Sequence, residues 1–118
     1  MKHNKTTLLS AFALMLAAPA NLAASPVDLG KDRAIEDCSA CHQITASQKP
    51  PPPVADPDYD EWVVAPTFRQ IALKYNGHER ELRAFILTPD HPMKEQEFLD
   101  TDLNAIIAYI NSLAKKQR

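Results

Sequence analysis

The stretch "EDCSACHQI", residues 36–44, contains both cysteines of the 118-residue chain. Cys38 and Cys41 are separated by two residues, and His42 follows the second cysteine directly. Three kinds of site use such a cluster: a redox-active dithiol, a zinc site and a covalent haem attachment site. A disulfide between the two cysteines is a fourth alternative, but it would close a very small loop and restrain little of the unfolded chain.

The dithiol and zinc interpretations fit the surrounding sequence poorly. A thioredoxin-type dithiol needs a low-pKa cysteine at the N-terminus of a helix that follows a strand. Here the cysteines come at the end of a predicted helix, and no strand pattern precedes them. Zinc would take both cysteines together with His78 and His91, but this spacing is loose and leaves His42 without a role.

The haem interpretation gives every residue of the cluster a role. C-x-x-C-H is the signature of c-type haem attachment. Two thiols that add to the two vinyl groups of one porphyrin must lie a short, fixed distance apart. The histidine directly after the second cysteine must reach the iron of the same porphyrin. The sequence therefore favours one covalently bound haem c per chain, with Cys38 and Cys41 as thioethers and His42 as the proximal iron ligand.

The N-terminal residues 1–24 have the order of a secretory signal peptide. Two lysines precede an apolar run at residues 8–18, and a proline and small residues follow. The run is shorter than the ~20 residues of a membrane span, although an uncleaved anchor is an alternative. We expect cleavage after Ala24, or alternatively after Ala20, and one domain over residues 25–118. Thioether attachment takes place outside the cytoplasm, so we expect the periplasm of a Gram-negative bacterium.

The charge of the chain restricts its partners. The formal net charge is −2, and the two lysines of the signal sequence make the remaining domain more acidic than this value. An acidic domain is a poor candidate for nucleic acid or for an anionic membrane surface. The acidic run "DPDYDE" at residues 56–61 is expected to be a solvated loop, with a docking patch for a basic partner as the alternative. We expect no stable membrane span after signal cleavage.

Hydrophobic periodicity predicts an all-α domain. The four predicted helices are Asp28–Cys38, Pro66–Tyr75, Glu79–Leu87 and Asp102–Lys116. Asp28 is expected to cap the first helix, whose apolar face would consist of Leu29, Ala34, Ile35 and Cys38. The segment 46–61 contains four consecutive prolines and is predicted to be a surface loop without helix or strand.

A second iron ligand is expected opposite His42. Met93 is the single methionine of residues 25–118, and it ends the proline-bracketed loop "PDHPM" at residues 89–93. A methionine or histidine in that position gives a low-spin electron carrier, whereas an open position gives ligand binding or catalysis. Met93 is the favoured distal ligand, and His91 is its rival.

These motifs resemble those of the class I c-type cytochromes, the small monohaem proteins of mitochondria and of the bacterial periplasm. The resemblance extends from Asp28 to Leu113. It includes "CSACH", "PDHPM", the glycine at Gly30 and the segment "IIAYI" at residues 106–110. In this family the glycine lets the N- and C-terminal helices cross closely, and an aromatic residue at the position of Tyr109 packs over it.

The resemblance also implies neighbours for the haem. "APTF" at residues 65–68 is similar to the segment whose proline carbonyl, here that of Pro66, accepts a hydrogen bond from the proximal histidine. Trp62 corresponds to a tryptophan that donates to a haem propionate in some relatives, with a position beneath the proline-rich loop as the alternative. The expected fold is cytochrome c-like, with crossing N- and C-terminal helices and loops wrapped around one covalent haem.

The function implied by the resemblance is electron transfer. The protein would cycle between Fe(III) and Fe(II), passing electrons from a donor dehydrogenase to an acceptor, with His42 and Met93 as axial ligands. It would be an electron carrier rather than an enzyme, or else a cytochrome subunit of an oxidoreductase. A sensor or enzyme subunit with an open or labile distal site is the alternative. The apolar residues expected around the ring are Ile44, Phe68, Ile71, Leu82, Phe85, Ile86 and Leu99.

Overall fold

The computed structural model describes residues 18–20 and 22–115. Its helices are α1 (Pro26–Cys38), α2 (Phe68–Lys74), α3 (Glu79–Leu87) and α4 (Asp100–Lys115), and its strands are β1 (Val54–Asp56) and β2 (Glu61–Val63). The all-α class predicted from the sequence is therefore confirmed. Most of the predicted signal peptide, residues 1–17 and residue 21, lies outside the described residues, as does Lys116 at the predicted end of α4.

Three helices begin at residues other than those expected, and α4 starts at Asp100 rather than Asp102. The N-cap of α1 is Ser25, whose hydroxyl oxygen accepts a hydrogen bond from the backbone N–H of Asp28, and not Asp28 itself. Proline at the start of α1 suits the first turn, because its missing N–H has no partner there in any case. Helix α2 starts at Phe68 because Thr67 and Gln70 form a reciprocal capping box, which leaves Pro66 outside the helix.

The predicted loop over residues 46–61 contains a strand, so this prediction was wrong in part. Strands β1 and β2 pair antiparallel, with Val54 opposite Val63 and Ala55 opposite Trp62. Each strand has three residues, which is too short for an alternating pattern to be recognised in a proline-rich segment. A carboxylate oxygen of Asp56 accepts a hydrogen bond from the backbone N–H two residues later and shapes the turn.

Helix α4 is the centre of the domain, and α1, α2 and α3 each pack against it. Its apolar stripe is buried as the periodicity predicts, and Tyr109, expected at the edge of the stripe, is only 5% exposed. The core consists of Ala34, Ile44, Phe68, Ala72, Leu82, Ile86, Leu103, Ile106, Ile107, Tyr109 and Ile110. No helix in the described part of the chain is both long enough and apolar enough to span a membrane.

The crossing of α1 and α4 is unusually close at Gly30. A Cβ atom at this position would lie 1.8 Å from the carbonyl oxygen of Ala105, a separation that no side chain can adopt. The buried residues of α1 are accordingly Gly30 and Ala34, whereas Leu29 and Ile35 of the predicted apolar face are exposed. Leu29 and Ile35 were wrongly assigned to the buried face of α1, because that face has room only for small residues where it contacts α4.

Candidate functional site

The cysteine cluster lies where α1 ends. Cys38 is the last residue of the helix and is partly buried, and Cys41 is exposed in the turn that follows. The backbone N–H groups of Cys41 and His42 both donate to the carbonyl oxygen of Cys38, at 3.2 and 2.9 Å. Both cysteines are free thiols. The turn therefore presents two unlinked thiols and an imidazole within five consecutive residues.

The imidazole of His42 is held by the segment that precedes α2. Its Nδ1 atom lies 2.7 Å from the carbonyl oxygen of Pro66, which is the contact that the sequence resemblance implies. A second hydrogen bond, from the backbone N–H of Phe68 to the carbonyl oxygen of Gln43, joins the same two segments. The ring of Phe68 also packs edge-on against the imidazole, with 5.7 Å between the ring centroids. The histidine ring is thus restrained by a polar contact and by an aromatic one.

This contact determines which nitrogen of His42 can bind a metal. A carbonyl oxygen only accepts hydrogen bonds, so the proton of the neutral imidazole must be on Nδ1. The Nε2 atom then keeps its lone pair and can act as a metal ligand. A hydrogen bond of this kind also orients the ring and makes the ligating nitrogen more basic.

The environment of Cys38 argues against a redox-active dithiol. Burial, with smaller contributions from the charges of Asp37 and Cys41, raises the pKa of the Cys38 thiol to about 11. The thiol is therefore protonated at neutral pH, whereas disulfide exchange needs the thiolate. No strand precedes α1 among the described residues, so the βαβ context of a thioredoxin-type motif is missing there as well.

The zinc interpretation is also not supported by the geometry. Within residues 18–20 and 22–115, no group of three or more His, Cys, Asp and Glu side chains is placed to hold a metal ion. The two histidines that zinc would require are exposed and make other contacts. His78 lies 3.8 Å from Glu81, and His91 lies 3.4 Å from Asp58.

The remaining predicted site residues are distributed around the loops. Met93 is partly buried in the loop between α3 and α4, where its backbone N–H donates to the carbonyl oxygen of Asp90 at 3.2 Å. Trp62 lies on β2 and is 74% exposed, so it is not tucked beneath the proline-rich loop. The structure thus brings His42, Pro66 and Phe68 into direct contact.

Most of the apolar residues expected around the site belong to the core. Ile44, Phe68, Leu82 and Ile86 are buried, and Ile71 and Phe85 are partly buried. Leu99 is 70% exposed. It precedes α4, where its carbonyl oxygen accepts from the first turn of that helix, and this position places it outside the buried stripe.

Two residues support the turn after His42 in ways that the sequence did not indicate. The side-chain oxygen of Gln48 accepts from the backbone N–H of Ile44 at 2.9 Å, and its amide nitrogen lies 3.3 Å from the carbonyl oxygen of His42. The hydroxyl of Tyr109 donates to the carbonyl oxygen of Ile44 at 2.9 Å. Gln48 could not be predicted because a single glutamine in a loop belongs to no sequence motif. The position of Tyr109 in "IIAYI" suggested packing over Gly30 rather than a hydrogen bond to this turn.

These groups fit a covalently attached haem. Two free thiols stand three positions apart, one partly buried and one exposed, and the adjacent imidazole has an available Nε2. The partly buried thioether of Met93 is a suitable donor for an iron ion. The donor set therefore matches the chemistry of a haem c better than that of zinc or of a dithiol.

Comparison with known proteins gives one match. A family model described as "Cytochrome c" matches residues 27–114, which span α1 to α4 and include both cysteines, His42 and Met93. Searches of curated proteins and of solved structures returned no match.

Proposed function

Since the chain belongs to the cytochrome c family, we propose that it is an electron carrier with one haem c bound through Cys38 and Cys41. In this proposal Nε2 of His42 is the proximal iron ligand and the thioether of Met93 is the distal one. The family as a whole binds haem c covalently and transfers electrons. The observation that carries the assignment in this chain is the 2.7 Å contact between Nδ1 of His42 and the carbonyl oxygen of Pro66, which leaves Nε2 for the metal.

The protein residues orient the ligands and control the surroundings of the metal. The Pro66 carbonyl and the Phe68 ring hold the imidazole in one orientation. When bound, the haem supplies a one-electron Fe(III)/Fe(II) couple. A methionine thioether as the second iron ligand would raise the reduction potential relative to a second histidine. Buried apolar residues such as Ile44 and Ile86 lower the local dielectric and disfavour the additional charge of the oxidised form.

Export from the cytoplasm is part of the proposal. Its support is the order of residues 1–24, with lysines, a short apolar run and small residues before Ala24. Cleavage there would leave a periplasmic domain over residues 25–118. The electron donor and the electron acceptor are redox proteins, and the proposed donor is a dehydrogenase. Fractionation of cells that express the full-length chain, with mass spectrometry of the haem-stained band, tests both the compartment and the cleavage position.

Absorption spectroscopy tests the ligands. A pyridine haemochrome assay should show one haem c with two thioether bonds, whereas a zinc protein would be colourless. The oxidised protein should show the weak far-red charge-transfer band of methionine bound to Fe(III). Met93→Ala should abolish this band, and His91→Ala, the matched control in the same loop, should keep it. If the wild type lacks the band and its reduced form binds carbon monoxide rapidly, the distal site is open and the electron-carrier assignment is wrong.

A further inference from the structure

The outer side of the β1–β2 hairpin is an exposed apolar surface. Because Ala55 and Trp62 are directly opposite in the ladder, their side chains lie on the same face, and both are exposed. The alternate positions Val54 and Val63 are partly buried, so they form the inner face. Trp62 is 74% exposed, and Tyr59 in the connecting turn is 73% exposed. Exposed aromatic residues grouped in this way are typical of protein–protein contact sites.

The segment that carries these aromatic residues is acidic. The chain has no lysine or arginine between Lys49 and Arg69, but this segment contains four acidic residues. Asp60 follows Tyr59 in the turn, and Glu61, which pairs with Asp56 at the turn end of β2, lies on the face opposite to Trp62. Both carboxylates are exposed, and neither makes a salt bridge with any residue in the described part of the chain. The hairpin therefore combines an apolar centre with an acidic edge.

The hairpin is also conformationally restrained before any partner binds. Pro50–Pro53 lead into β1, and Pro57 lies in the turn, so the backbone of both segments has few alternative conformations. The buried carboxylate of Asp56 accepts from the backbone N–H of Asp58 at 3.0 Å. Asp60 adopts the left-handed conformation, with φ of 51°, which aspartate tolerates better than most residues. A surface that is already ordered loses less entropy on association.

We infer that this hairpin surface, formed by Tyr59, Asp60, Glu61 and Trp62, is the docking site for a redox partner with a lysine- and arginine-rich surface. The inference rests on the proposed electron-carrier function. Cationic side chains complement the two unpaired carboxylates, and they also bind favourably over the faces of exposed Tyr and Trp rings. The same negative charge repels anionic phospholipid surfaces, so the occupant is a protein.

The test is an NMR titration of the reduced, haem-loaded protein, labelled with ¹⁵N, with a nonalysine peptide as the probe and a nonaglutamate peptide as the control. Nonalysine should shift the amide signals of residues 54–64, and nonaglutamate should not. The double variant D60N/E61Q should bind nonalysine about threefold more weakly or worse, since each exposed ion pair contributes a fraction of a kcal/mol. Tyr59→Ser should also weaken binding.

The matched control is D32N/E97Q, which removes the same charge from two exposed carboxylates that make no salt bridge in the described part of the chain. At an ionic strength near 0.15 M distant charges are screened, so this variant should bind nonalysine as the wild type does. Equal weakening in both double variants would mean that only net charge matters and would overturn the proposal. The proposal would also be overturned if nonalysine mainly shifted amide signals outside residues 54–64, or if the protein dimerised through these residues without peptide.

The two proposals can fail separately. The absorption spectrum and reduction potential of D60N/E61Q report on the haem ligands and should match those of the wild type. If the hairpin variants bind nonalysine normally while the methionine band is present, the docking inference is wrong and the electron-carrier assignment stands. If the wild type lacks the band and its reduced form binds carbon monoxide rapidly, the electron-carrier assignment is wrong, regardless of how the peptide binds.

Discussion

At the scale of single residues, the structure connects the candidate metal ligand to the core through its neighbours. His42 is restrained by Pro66 on one side, and the next residues of its turn are held by Gln48 and by Tyr109 of α4. The hydroxyl of Tyr109 is the only one of these groups that reaches the turn from the central helix. Its environment has a measurable consequence, because burial raises the pKa of the Tyr109 phenol above its ordinary value.

Replacement of Tyr109 by Phe should change how stability depends on pH. The folded state retains the phenol proton at pH values where the unfolded chain, with a pKa near 10, has already lost it. The wild-type free energy of unfolding should therefore decline as the pH rises past about 10. Tyr109→Phe should be less stable by about 1 kcal/mol at pH 8, because the Ile44 carbonyl loses its donor, but should decline less between pH 9 and 11.

Denaturant unfolding at a series of pH values measures this difference. Tyr59→Phe is the control, since Tyr59 is 73% exposed, and it should follow the wild-type curve. Parallel decline of Tyr109→Phe and the wild type above pH 9 would contradict the prediction.

At the scale of secondary-structure elements, the α1–α4 crossing determines where the cysteine cluster lies. The cluster begins at the last residue of α1, so any change in this crossing moves Cys38 and the turn that carries His42. The contact depends on the absence of a side chain at Gly30, over which the backbone of Ala105 passes. A salt bridge between Arg33 and Asp102, at 2.9 Å, joins the same two helices at the surface, where such pairs add little stability.

Substitution of Gly30 by Ala should destabilise the protein although alanine is the better helix former. Intrinsic propensity favours Ala over Gly by about 1 kcal/mol within a helix. A Cβ atom at 1.8 Å from a backbone carbonyl oxygen forces the helices apart, and we expect a net loss of at least about 3 kcal/mol. The free energy of unfolding of the haem-loaded protein, measured with guanidinium chloride, checks the sign.

Gly77 offers the contrasting substitution. It has a φ of 79° and no atom near the position of a Cβ, so Gly77→Ala should cost about 1 kcal/mol through backbone conformation alone. If Gly30→Ala proved to be as stable as the wild type, the close crossing would not exist in solution.

At the scale of the whole molecule, one small core must support four helices, a hairpin and several long loops. Domains of this size bury little surface and commonly depend on a cofactor for their stability. Helix α4 packs against all three other helices, and α1 makes its most extensive contact. The turn after His42 and the loop that contains Met93 are held by a few hydrogen bonds. We therefore expect the bound haem to be a large part of what this domain folds around.

Removal of the haem should abolish cooperative folding. The double variant C38A/C41A cannot form thioether bonds, and when purified without haem it should retain some helix but show no cooperative thermal transition. Circular dichroism at 222 nm during heating measures this, with the haem-loaded wild type as the control that melts cooperatively. A sharp transition in the haem-free variant would show that the protein core is sufficient by itself.

Much of the helical framework and the identity of the site residues could be predicted from the sequence. Helix α3 has the predicted bounds, and the stripe of α4 is buried as expected, because apolar residues repeat at helical spacing over a long segment. The hairpin was missed because strands of three residues are too short to show an alternating pattern in a proline-rich segment. Leu29 and Ile35 were misplaced because the contact between two helices, and not hydrophobicity, selects the buried face of α1.

The sequence by itself predicted the chemistry of the site, since the residue types and spacing of "CSACH" and the helical pattern before it favour haem attachment over zinc or a dithiol. Only the tertiary structure decided which imidazole nitrogen is available, because the Pro66 carbonyl that engages Nδ1 of His42 comes from 24 residues away. It also decided that Trp62 and Tyr59 are exposed beside unpaired carboxylates. The physical reason is the same in both cases: tautomer and exposure depend on neighbours in space, and periodicity reports only neighbours along the chain.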